Sequence, residues 1–175
     1  MAGRSGSKLK AGLRAGKRPG FFFLLAFVFS FQLPASMISV LVVETGIKEG
    51  GNAGQYSSLW EDGLLSVFFD AGHIISNGNI LRLEKMPSKA LPDEVLLEHR
   101  DAFEGGADYF VLAILKYENI NGRMKPQEVT LRIFSTSSTG MLCQRIFPAG
   151  PGQNLDDEYK RAKEAARTII PHIKD

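Results

Sequence analysis

The sequence predicts one small α/β domain with a mixed sheet packed against helices, in the order β-α-β-(β)-α-β-β-β-α, behind an amino-terminal leader. Three observations carry this reading. Two segments, Met37–Thr45 and Ala107–Glu118, are apolar almost throughout, as strands buried on both faces must be. Amphipathic stretches at helical spacing lie between them, and such crossovers join parallel strands. Alternating strands separated by tight turns then follow, which gives an antiparallel meander.

The leader comes first in the chain. Residues 1–20 are basic and rich in small residues, and residues 21–33, FFFLLAFVFSFQL, are an apolar run. A basic head followed by a short apolar body is the anatomy of a secretory signal segment, assigned here to residues 1–36 with the domain at 37–175. Small residues at Ala35 and Ser36 suit a peptidase cutting after one or the other. The run is short of the roughly 20 residues a helical span needs. Its rival is an uncleaved anchor that borrows the next apolar stretch and spans 21–43, associating the protein with the membrane. No cysteine follows the apolar run, which excludes attachment of lipid by the bacterial lipoprotein route.

Within the domain, Met37–Thr45 is a central strand, followed by a loop with glycines at 46, 50, 51 and 54. Trp60, Leu64, Val67, Phe68 and Ala71 then share one helical face. Ser57 or Ser58 is expected to cap this helix, with Glu61 in its first turn and Gly72 ending it. His73–Ser76 reads as a short strand. Asn77-Gly78 favours a turn, and Ile80–Glu84 is either a partner strand or a lead into the next helix. Pro92 suits the first position of a helix whose inward face is Val95, His99, Ala102 and Phe103, stopped by Gly105 and Gly106. After Ala107–Glu118, the segment NING breaks the strand, and Val129, Leu131 and Ile133 alternate with Thr130 and Arg132. Ser137–Gly140 turns the chain into MLCQRIFP. The last helix places Tyr159, Ala162, Ala166 and Ile169 inward, with Asp156 and Asp157 at its positive end.

Composition bounds the function. With 175 residues, 44% hydrophobic and 10% aromatic, the chain can bury a core without staples. Its net charge of +2 is unevenly distributed. Arg4, Lys8, Lys10, Arg14, Lys17 and Arg18 precede the first acid, Glu44, which leaves 15 basic against 19 acidic residues, a net of −4, for the rest. An acidic body does not suit a nucleic-acid binder, which calls for a basic face, and no nucleic-acid partner is expected.

The glycine-rich loop Gly46, Lys48, Gly50, Gly51 and Gly54 lies between a strand and a helix, where phosphates are often cradled. It fits neither the dinucleotide nor the P-loop spacing, so a surface loop is the simpler reading. His73, His99 and His172 fall in separate elements without metal-ligand spacing. Glu104 and Asp108 flank two glycines, and Asp108 is better suited to orienting the turn before its strand. Cys143 is alone and sits in an apolar run as a small buried hydrophobe. Trp60 reads as a core anchor, as do Phe68 and Phe103. No serine has the G-x-S-x-G setting and no catalytic grouping emerges. Neither a cofactor nor a metal is expected.

Two segments carry a resemblance. LLSVFFDAGHIIS and EGGADYFVLAILKYENINGR, followed by VTLRIFSTSSTGMLCQRIF, resemble the helix-to-strand turn, the central strand and the meander of the curli-secretion lipoprotein and penicillin-binding-protein activator (CsgG/LpoB-like) family. The topology is similar also to the amino-terminal domain of the periplasmic Tol-system propeller protein. The resemblance implies a bacterial cell-envelope, periplasmic domain that binds another protein and is not an enzyme. The missing lipid-attachment cysteine, and the lack of long amphipathic hairpins, argue against an outer-membrane lipid anchor and a curli-type pore. The alternatives are a small-ligand or nucleotide-derivative binder using loop 46–54 and, third, an exported hydrolase.

Overall fold

A computed structural model describes residues 35–47, 54–87, 90–138, 140–150 and 154–173. Residues 1–34, and with them most of the leader, lie outside the described residues, as do Lys48, Gly50 and Gly51.

Strand β1 (Met37–Thr45) is buried along nearly its whole length. It runs parallel to β2 (Ile74–Asn77) and β3 (Leu81–Leu83) on one side, and to β4 (Tyr109–Ile120) on the other. Antiparallel β5 (Arg123–Ser135) and β6 (Met141–Pro148) complete a sheet in the order β2-β1-β4-β5-β6, with β3 also on β1. The two apolar runs are therefore interior strands, and the mixed α/β architecture is as the sequence predicts. The helices are α1 (Gly54–Asp70), α2 (Asp93–Glu104) and α3 (Leu155–Ile169), which ends in a 3-10 turn at Ile170–His172.

Alternation along the strands divides the core in two. Ile38, Val40, Val42, Val111, Ala113, Leu115, Val129, Leu131 and Ile133 pack under α1 and α3, together with Trp60, Phe68 and Ile169. On the opposite face Leu41, Val43, Phe110, Leu112 and Phe134 meet Val95 and Ala102 of α2. Cys143 is a free, buried member of the first cluster. The first core also holds a polar clamp. Trp60 Nε1 donates to Glu158 Oε2 at 3.0 Å, and Arg161 binds Glu158, lies 5.4 Å from the Trp60 ring centre, and donates to the carbonyls of Phe147 and Pro148. One arginine thus ties the end of β6 to both helices above it.

Helices α1 and α2 end alike. After α1, the Gly72 N–H donates to Phe69 O and the His73 N–H to Phe68 O. After α2, the Gly106 N–H donates to Phe103 O and the Ala107 N–H to Ala102 O. Each is a Schellman turn, and Gly72 and Gly106 supply the left-handed residue at φ +91 and +83.

Several expectations are corrected. Helix α1 begins at Gly54, so Ser57 lies inside it and does not cap it, and Glu61 falls in its second turn, accepting from Asn77 Nδ2 at 2.9 Å. Ala71 is past the helix end and exposed. Pro92 is the N-cap of α2, one position earlier than expected. Phe103 is 54% exposed and is not a core residue. It lies in the last turn of α2, near the start of β4. Asn77-Gly78 does not close a hairpin, because β2 and β3 both pair parallel to β1 and follow one another along the same edge. Tyr159 is half-buried, and Ala165 takes the inward place beside Ala162 and Ala166. By contrast, NING does turn the chain back, with Asn121 and Gly122 at positive φ.

Candidate functional site

At the carboxyl-terminal end of the parallel strands, next to the glycine-rich loop, a polar cluster is built into the first core. Glu44 is 1% exposed, one residue from the end of β1 and just before the loop. Its Oε1 accepts from Ser57 Oγ at 2.6 Å, and its Oε2 accepts from Arg82 Nε and Nη2 at 3.0 and 2.8 Å. Tyr117 OH lies 2.8 Å from Ser57 Oγ. The serine's single proton goes to the carboxylate, so the tyrosine donates to the serine. Burial, with Glu44 nearby, holds the Tyr117 phenol well above the ordinary tyrosine range. Ser57 and Arg82 thus satisfy the buried Glu44 charge directly, with Tyr117 bonded behind the serine, so that four elements meet in one cluster.

Gly46, the first residue of the candidate loop, sits beside this cluster at φ +78. A Cβ there would come 2.5 Å from Tyr117 O, so the loop leaves the sheet pressed against β4. Gly54 is the first residue of α1. The structure thus fixes the two ends of the loop, while Lys48, Gly50 and Gly51 lie outside the described residues.

The second feature lies at the opposite end of the sheet, where β1 and β4 begin. There a cleft of about 730 Å³ is walled by Phe103, Asp108, Tyr109, Thr136, Leu142 and His172. Asp108 and His172 are brought to one cleft from distant parts of the sequence. The Asp108 carboxylate is already engaged, since its Oδ2 accepts from the Met37 N–H at 2.8 Å. Glu104 is not among the cleft residues, and it lies 3.7 Å from Arg100 as an exposed helical pair. The two cleft serines, Ser135 and Ser137, are hydrogen-bonded to each other at 2.9 Å. Their partners are thus hydroxyls, and not the histidine base that an acyl-transfer nucleophile needs.

His99 is buried against the rings of Phe110 and Phe134, with centroids at 5.2 and 6.1 Å, and its Nε2 has no hydrogen-bond partner. His73 precedes β2 and leaves its Nδ1 without one. The three histidines are not brought together, and no group of three metal-ligating side chains is present among the described residues. Nor is any described helix long and apolar enough to cross a membrane. Sequence reasoning missed Arg82 and the role of Ser57. The signal available was a glutamate near the end of an otherwise apolar buried strand, which requires a partner wherever it comes from.

The sequence matches no known protein family, and no curated protein matches it either. Among solved structures, it is similar to PelC from Paraburkholderia phytofirmans, a dodecamer, at 11% identity over 81% of this chain and 89% of that one, with a TM-score of 0.39. It is similar to the lipoprotein GNA1162 from Neisseria meningitidis at 11% identity, over 79% and 99% of the two chains, with a TM-score of 0.43. It is similar to TolB from Acinetobacter baumannii at 14% identity, over 81% of this chain and 29% of that one, with a TM-score of 0.41.

Proposed function

We propose that the chain is a non-catalytic domain exported to the bacterial cell envelope, where it binds another protein through the open edge of its sheet. The observation that carries this reading is β6. Among the described residues it pairs with β5 on one side only, and it presents Met141, Leu142 and Ile146 at 53%, 49% and 55% exposure. A free strand edge offers a row of unpaired amides and carbonyls, and natural proteins keep such edges polar unless something pairs with them. Addition of a partner's strand fits this chemistry, with backbone bonds supplying affinity and alternate side chains supplying selectivity. Export rests on the basic-then-apolar leader of residues 1–36, and the acidic body supports a protein partner over nucleic acid. The resemblance to the CsgG/LpoB-like family and to the Tol-system domain belongs to this same reading.

A crosslinking pull-down from envelope fractions tests it. The parent chain should capture a discrete partner, and Ile146→Asp or Met141→Asp, on exposed positions, should abolish capture with melting unchanged. Capture that survives both changes would place the interface elsewhere and remove the β6 reading.

A further inference from the structure

The two faces of the sheet are covered unequally. On one face the core beneath α1 and α3 extends out to β6, where it includes the buried Cys143. On the other, the core beneath α2 includes one residue of β5, Phe134, and none of β6. Cross-strand partners share a face, which puts Arg132 beside Leu112 of β4 and Gln144 of β6 on the α2 side. The neighbouring rows pair Thr130 with Ile146 and Phe134 with Met141. Ile146 and Met141 are more than half exposed, so β6 presents an apolar side chain on each side of Gln144.

Arg132 is the charged group of this middle row. Its Nε donates to Gln144 Oε1 at 3.0 Å, so the side chain leans across β6 toward the open edge. It is half-buried, and burial holds the guanidinium below the ordinary arginine value while leaving it charged. The ion pairs among the described residues use Arg82, Arg100, Lys116 and Arg161, and not Arg132. Glu128, the acid on the same face of β5, is four positions along the strand, roughly 13 Å away. A half-buried cation held by a neutral amide has given up water without gaining a carboxylate. Charge complementarity therefore calls for an acid arriving over the β6 edge.

A second copy does not supply that acid by edge pairing. The free edges of the sheet are β6 and, across it, β2 and β3, whose sequences MLCQRIFP, IISN and LRL hold no carboxylate. A second β6 would bring a further cation, Arg145.

We propose that the β6 edge receives a strand of a different protein that carries an aspartate or glutamate across from Gln144, its carboxylate bonded to Arg132, and an apolar residue two positions away that packs on Ile146. The inference rests on the β6 reading above and adds the partner's chemistry to it. An added strand lies about 4.8 Å beyond β6, and its residues two apart point to one face, so a single strand makes both contacts. The planar fork of the guanidinium suits a carboxylate held by two nitrogens.

The test uses the full chain in its own cells, with a photo-crosslinking residue at Ile146, in the parent and in Arg132→Gln, Arg132→Lys and Arg132→Glu. Arg132→Gln should melt at or above the parent, because it removes a half-buried charge that lacks a counterion. The adduct at 146 should fall about tenfold in Arg132→Gln, the worth of one charge-assisted bond. It should be partly kept in Arg132→Lys and vanish in Arg132→Glu. Mass spectrometry should place an acid within two residues of the crosslinked position in the partner. A synthetic peptide of that segment completes the comparison. Changing its acid to the amide should weaken binding to the parent about tenfold and leave binding to Arg132→Gln unchanged.

An adduct equally strong in Arg132→Glu, or a crosslinked segment without an acid, overturns the carboxylate assignment and leaves the β6 reading standing. Equal weakening of the peptide toward both proteins removes Arg132 as the acid's partner. Adduct loss that follows a fall in melting across the variants overturns the proposal in favour of a structural role, and an adduct of two copies of this chain overturns it in favour of self-association. No adduct at 146 in any chain, the parent included, overturns the β6 reading and this inference with it.

Discussion

Asp108 holds Met37 from both sides of one residue: its carboxylate accepts the Met37 N–H at 2.8 Å, and its own N–H donates to the Met37 carbonyl at 2.7 Å. The second bond continues the β1–β4 ladder, and the first is extra. It fixes where β1 starts, 71 residues away in sequence. Asp108→Ala should lower stability by about 1 kcal/mol, the typical worth of one hydrogen bond. In a chain processed after Ser36 the same nitrogen is an ammonium, and the loss should be larger. Thermal melts of the full and shortened chains, each with and without the change, measure both. Equal and negligible losses would show that the ladder alone positions the strand.

The Glu44 cluster predicts a stability phenotype without a binding phenotype. Arg82→Ala leaves a buried carboxylate without its cation. Losing the partner of a fully buried pair costs about 3–5 kcal/mol, and the Arg82 side chain is 47% exposed, so about 1–3 kcal/mol is expected after screening. Urea titration gives the value, and partner capture should be unaffected by it.

Tyr117 predicts an alkaline weakness. Its phenol is held neutral in the folded protein, above the ordinary value near 10 that the unfolded chain shows. Below that unfolded value the stabilisation is fully present. As pH rises beyond it the unfolded chain loses the proton first, so stability falls. The parent should therefore lose stability above roughly pH 10, and Tyr117→Phe should flatten this slope. Parallel slopes for the two proteins would remove Tyr117 as the cause.

Three aromatic residues that look alike in the sequence should behave differently. Trp60 and Phe68 are fully buried, and truncating either to Ala should cost about 3–5 kcal/mol. Phe103→Ala should stay within about 0.5 kcal/mol. Chemical denaturation of the three variants decides this.

What the sequence made legible follows from the range of each signal. Met37–Thr45 and Tyr109–Ile120 announce themselves because interior strands need apolar residues on both faces, a property of consecutive positions. Helix ends were legible for the same local reason, through Gly72 and Gly106. Phe103 was misjudged because helical periodicity says which side a residue faces, and not whether anything lies opposite it. In the last turn of α2 its ring stays more than half open to solvent. Of the site features, the flanking glycines 46 and 54 were visible. The cluster itself was not, since Glu44 meets partners 13 and 38 residues away and the serine meets Tyr117 60 residues away. Such pairings are products of topology.

The central claim, an exported domain that binds protein through β6, is tested most directly by a photo-crosslinking residue placed at Ile146 of the chain in its own cells, with fractionation before analysis. The expected result is one discrete protein adduct in the envelope fraction, absent when the crosslinker is moved to Asn121. Full-length chain soluble in the cytoplasm, with no adduct at position 146, would contradict both the export and the interface.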